Sequence, residues 1–141
     1  MSDQMESIHD IRLDGLFFSV GALDFCADAG QIESTALFDG DGAEELVWLH
    51  RELGYGASVE YLSPTILAIK RSGDLPYHLV VDRMTDITEI DARDIVPLPP
   101  LLEPFAMKRG IWGIIPREKQ MVLMIDFLLL MRQKQSGVGE G

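Results

Sequence analysis

The sequence predicts a mainly β protein, a small barrel or sandwich with one or two short helices, and three observations carry that reading. Short apolar, partly β-branched runs recur along the 141 residues, separated by closely spaced Gly-, Pro- and Asp-containing turns. Apolar residues make up 47% of the chain, enough to build a hydrophobic core. No repeat of solenoid length and no long linker interrupts the pattern. One domain is therefore expected over residues 12–132, with flexible termini at 1–11 and 133–141.

Each element has its own signal. From Gly15, GLFFSV and FCADAGQIEST flank a Gly-containing, Asp-ended turn and read as a first hairpin. In DGDGAEELVWLHRELGYG, Leu46, Leu49 and Leu53 fall at i, i+3 and i+7, and Gly54 stands where a helix stops. A short helix is expected over Ala43–Leu53, capped by Asp39 or Asp41, with Glu44 and Glu45 facing its positive end. Thr65–Lys70 and Tyr77–Asp82, joined by RSGDLP, read as a second hairpin. Ile87, Thr88, Ile90, Ile95 and Val96 are strand-prone until a proline cluster ends the pattern. GIWGII and MVLMID flank the polar connection PREKQ as a third hairpin. Asp126 directly precedes FLLLM, where its carboxylate can cap a short terminal helix whose C-terminal end Arg132 and Lys134 complement.

Charge narrows the function classes. Residues 1–62 hold 13 acids against only Arg12 and Arg51, and the whole net charge of −11 arises there. Such a surface repels phosphate backbones and anionic membranes, so nucleic-acid binding is disfavoured. The start MSDQMESIHDIR has acids where a secretion signal has bases, and the apolar run MVLMIDFLLLM is only 11 residues long and contains Asp126. No membrane insertion is expected. Cys26 is the single cysteine, which agrees with a reducing cytoplasm and leaves no thiolate metal cage.

No catalytic motif stands out. A calcium loop starting at Asp39 would place Ala43 and His50 at its fifth and twelfth positions, which supply no suitable ligand, so helix capping is the better account of DGDGAEE. His9, His50 and His78 form no paired metal-ligand spacing. There is no nucleophile elbow, phosphate-cradling Gly-Lys loop or dinucleotide fingerprint. No enzyme activity, cofactor or metal is expected; an enzyme or small-ligand protein would need a deep pocket around His50 or His78. PLPPLLEPF carries a Pro-x-x-Pro spacing but reads best as a rigid connection. Its Leu98, Leu101, Leu102 and Phe105 either cover a barrel end or form a partner surface. Trp48 lies off the Leu46, Leu49, Leu53 stripe and is a better surface candidate than Trp112. Trp48, Leu101, Leu102 and Phe105 are thus the candidate partner-binding residues.

One resemblance joins these pieces. YHLVVDRMTDITEIDARDIVPLPP resembles the chemotaxis coupling-protein (CheW-like) segment in which G-L-x-V-D leads into a long strand, a D-x-x-D-I step and prolines, with Val80, Val81, Asp82, Asp91, Asp94, Ile95 and Pro97 in the matching positions. GIWGIIPREKQMVLMIDFLLLM is similar to that family's closing pattern through Ile111, Gly113, Leu123, Ile125, Asp126, Phe127 and Leu130. The likeness runs from Leu75 to Met131; upstream, FFSVGALDFCADAGQIES and LVWLHRELG resemble the opening hairpin and helix, with Trp48 where the family has Asp. TALFDGDGAEE occupies the place of the family's G-x-x-N-L-R-G strand, so no receptor-binding residue is carried over. The resemblance implies a pair of small intertwined five-stranded SH3-like barrels. It further implies a non-enzymatic adaptor for chemotaxis-like two-component signalling, docking the regulatory domain of a CheA-type histidine kinase, a chemoreceptor, or both. The alternative is a barrel of the same ancestry serving another assembly, including a homodimer.

Overall fold

A computed structural model describes residues 11–42, 46–54, 59–71, 73 and 75–132. Strand β1 (Arg12–Val20) turns at Gly21 and Ala22 into β2 (Leu23–Asp28), with Val20 opposite Leu23. Gly21 takes φ +62° and Ala22 does not turn positive. This is the two-residue turn whose twist matches its flanking strands, and its first position favours glycine. A 3-10 turn at Ala29–Gln31 leads into β3 (Ile32–Leu37). Next come β4 (Val47–Trp48), a single helical turn α1 (Leu49–Glu52), β5 (Pro64–Ile69) and β6 (Tyr77–Asp82). Strand β7 (Ile87–Asp91), a 3-10 turn at Ala92–Asp94 and β8 (Val96–Pro97) precede α2 (Glu103–Met107). The chain closes with β9 (Ile111–Pro116), β10 (Met121–Ile125) and α3, helical over residues 127–132.

All three expected hairpins are present: β1 with β2, β5 with β6, and β9 with β10, each antiparallel. The last connection is one residue shorter than read from sequence, because Pro116 already pairs with Met121. The strands form one sheet in the order β3-β5-β6-β1-β2-β10-β9-β8, with β4 on β6 and β7 on β1. Its decisive contact is the parallel pairing of β10 with β2, which joins positions nearly 100 residues apart in sequence.

The helix expected over Ala43–Leu53 is cut short. Val47 and Trp48 pair in parallel with Leu79 and Val80, so backbone groups that would begin a helix serve the sheet instead. The N-cap is Trp48, with no side-chain cap; Asp39 instead accepts from the Asp41 amide within its own loop. Residues 43–45, and with them Glu44 and Glu45, lie outside the described residues, as do the two termini. The connection PLPPLLEPF, read as a rigid connection between strands, contains a short helix: Pro104 sits in the first turn of α2, where its missing N–H costs no hydrogen bond.

Two hydrophobic cores lie on opposite faces of the shared strands. Phe25, Ala27, Leu123 and Ile125 turn to the larger core with Leu16, Phe18, Leu67, Leu79 and Phe127. Cys26, Val122 and Met124, the alternate residues, turn to a smaller core with Ile90 and Ile115. Strands covered on both faces read as continuous apolar runs, which explains MVLMI. Gly15 is glycine because a Cβ there would lie 2.6 Å from Cys26 Sγ and also strike Ile90. On β9 the two cores are reconciled by a bulge: Met124 faces Gly113 but Ile125 faces Ile111, leaving Trp112 without an opposite residue. Ile111 therefore points to the larger core and Ile115 to the smaller one. No helix among the described residues is long and apolar enough to cross a membrane.

Candidate functional site

An apolar groove of about 510 Å³ lies between the β2 and β10 edge of the larger core and the α2 segment. Leu98 is buried and anchors the segment, Pro99 O accepts from the Leu102 and Glu103 amides, and the chain then rises into α2. One side of the groove comes from Leu102, Phe105 and Ala106, and the facing side from Leu23, Ile114, Met121 and Leu123. Leu102 and Phe105 nevertheless remain 54% and 67% exposed, and Leu101, in the turn beside them, 82%. Exposed leucine and phenylalanine around a concave apolar floor form a contiguous apolar patch, of the kind that occurs at binding surfaces. Fully burying such a side chain contributes roughly 1.5–3 kcal/mol.

Among the described residues, Arg109 is the one charged residue lining the groove, and it is tied down. Its Nη1 donates to the Leu53 carbonyl at 2.7 Å, holding the C-terminal end of α1 against the α2 side. The groove therefore offers apolar contact and few competing polar groups.

The structure separates the sequence-derived candidates. Leu102 and Phe105 line the groove and Leu101 adjoins it, whereas Trp48 does not line it. Trp48 is half-buried, edge-on to Phe38 and Tyr61 with ring centroids 5.4 and 5.0 Å away. Its preference over Trp112 as the surface tryptophan is reversed: Trp112 is 37% exposed because the bulge ejects it from both cores. Leu23 and Met121, which sequence reasoning missed, each begin a strand immediately after a turn. Their direction depends on the register of β2 against β10, which no local pattern specifies.

Other chemically suggestive residues have structural work. The Asp82 carboxylate, buried, accepts from the Leu62, Ser63 and Arg83 amides at 3.0, 2.6 and 3.0 Å. Asp91 caps the 3-10 turn at Arg93 N and pairs with the Arg93 guanidinium, and these hydrogen bonds lower its pKa to about 2. Tyr61 Oη accepts from the His50 amide and lies 2.9 Å from Nδ1, the direction of that second hydrogen bond being set by the imidazole tautomer. Desolvation, then the Arg51 charge, lowers the His50 pKa and favours the neutral form. Neither His50 nor His78 lines the groove. Among the described residues, no group of three His, Cys, Asp or Glu side chains is placed to hold a metal ion.

No family model and no curated protein matches the chain. Among solved structures, the fold is similar to the crystal structure of the scaffolding protein TtCheW from Thermoanaerobacter tengcongensis. The TM-score is 0.61 at 16% identity, over 82% of this chain and 89% of that one. The mainly β architecture expected from sequence is thus a CheW-like fold.

Proposed function

We propose that this chain, a CheW-like fold with an exposed apolar groove, is a non-enzymatic adaptor that docks the regulatory domain of a CheA-type histidine kinase. The site of action is the cytoplasm. The observation that carries the reading is the groove floored by Leu23 and Met121 and walled by Leu102 and Phe105. Apolar side chains held on a short helix over a concave floor bind by excluding water, and the tethered Arg109 leaves no loose charge to oppose a greasy partner segment. The scaffolding role printed for TtCheW supports the same class of work.

The test is calorimetry of the full chain against the kinase regulatory domain from the same genome. Binding tighter than about 10 μM is expected, weakened at least about tenfold by Leu102→Asp or Phe105→Asp while the melting transition stays in place. No binding at tens of micromolar would sink the kinase assignment. Binding that both substitutions leave intact would move the docking surface away from the groove.

A further inference from the structure

We infer that a second, chemically different pocket, at the open end of the β1–β2 hairpin, binds a carboxylate group. This pocket, of about 370 Å³, is built from the end of β1, the start of β2, the β6–β7 connection and the β9–β10 turn. Two arginines, Arg83 and Arg117, line it together with Phe17, Phe18 and Phe25. In a chain of net charge −11, two cations on one pocket oppose the overall charge pattern.

The donors are available. Among the described residues, neither Arg83 nor Arg117 forms an ion pair with a carboxylate. Arg117 lies over the Phe17 ring, with Cζ 5.2 Å from its centroid. A guanidinium stacked this way uses its face on the ring and keeps its edge N–H groups for a planar acceptor. The Gln120 side chain lines the same pocket and adds an amide donor. Arg83 holds φ +50°, the one non-glycine residue at positive φ among the described residues. Its amide is held there by the Asp82 carboxylate and the Ser63 carbonyl.

The remaining polar groups select among anions. The hydroxyls of Thr85, Thr88 and Ser19 donate to Phe17 O, Asp86 O and Asp24 Oδ1, so their protons are engaged inside the protein. Asp24 itself lines the pocket and brings one negative charge. A carboxylate carries a single negative charge, and its flat pair of oxygens matches the edge of a ring-stacked guanidinium. The source is either a small free carboxylate or an acidic side chain presented by a protein.

The test is amide NMR of the labelled full chain, exchanging sodium chloride for sodium acetate at constant ionic strength. Parallel arms use inorganic phosphate and a blocked peptide with one central glutamate. Saturable shifts are expected at Ser19, Thr85, Thr88, Arg117 and Gln120, with acetate binding in about the millimolar range. Arg83→Gln and Arg117→Gln should each weaken it at least about fivefold, and Lys108→Gln, a charge change on another surface, should not. Should Arg83→Gln fail to fold, Arg117→Gln and Gln120→Ala, both on an exposed turn, carry the test. A peptide that binds tighter than acetate identifies a protein side chain as the source; equal binding identifies a small carboxylate. Shifts that grow linearly over the whole surface, phosphate binding tighter than acetate, or variants that bind as the parent does would overturn the site.

Discussion

Cys26 has no exposed surface and sits in the smaller core beside Ile90, Val122 and Met124. Burial pushes its pKa from 9.0 to about 12; Arg117 pulls in the opposite direction and Asp28 adds slightly to the rise. The folded state thus holds the proton more tightly than the unfolded chain. This contribution to stability is complete below pH 9 and is lost as pH rises from 9 toward 12. Thiol titration at pH 8 should accordingly report opening of the structure, at a rate at least about 100-fold below that in denaturant. Reaction as fast in buffer as in denaturant would contradict the burial. Asp82 and Asp91 have structural partners for their oxygens: Asp82 accepts from the Leu62, Ser63 and Arg83 amides, and Asp91 from the Arg93 amide and guanidinium.

The terminal helix α3 shows how an element is set by one local and one distant contact. Asp126 Oδ1 accepts from the Leu129 amide at 3.0 Å, the cap that the sequence predicts. The same oxygen accepts from Gln31 Nε2 at 2.9 Å, while Gln31 Oε1 accepts from the Phe127 amide at 3.0 Å. A residue from the turn after β2 thereby completes the cap. Asp126→Ala should cost about 0.5–2 kcal/mol in urea unfolding, with Asp126→Asn recovering part of it, since an asparagine oxygen accepts the same Leu129 bond. An unchanged midpoint for Asp126→Ala would show that the cap contributes nothing. In β9 the governing device is the bulge at Trp112 instead, which lets one strand serve two cores and leaves a large aromatic partly exposed.

For the whole molecule, two concavities among the described residues differ in chemistry: an apolar groove at α2 and a pocket lined by Arg83 and Arg117 at the β1–β2 hairpin. Docking at the groove should depend weakly on salt, changing less than about threefold between 0.05 and 0.5 M sodium chloride, because water exclusion is not screened as exposed ion pairs are. A fall above tenfold in the same calorimetry would assign the contact to charges. Much of this was legible from the residues alone. The three hairpins and the Asp126 cap follow from turn chemistry and alternation, which act over a few neighbouring residues. Leu102 and Phe105 were recognisable as too apolar for their connection. Beyond that reach lay the strand at Val47–Trp48, taken for helix, and the exposure of Trp112. The groove floor at Leu23 and Met121 was equally hidden. Each depends on a partner strand distant in sequence: β6 claims Val47 and Trp48, and β10 against β2 sets which residues of both strands face inward. A strand has two faces, and its neighbours, not its own residues, settle which of them is covered.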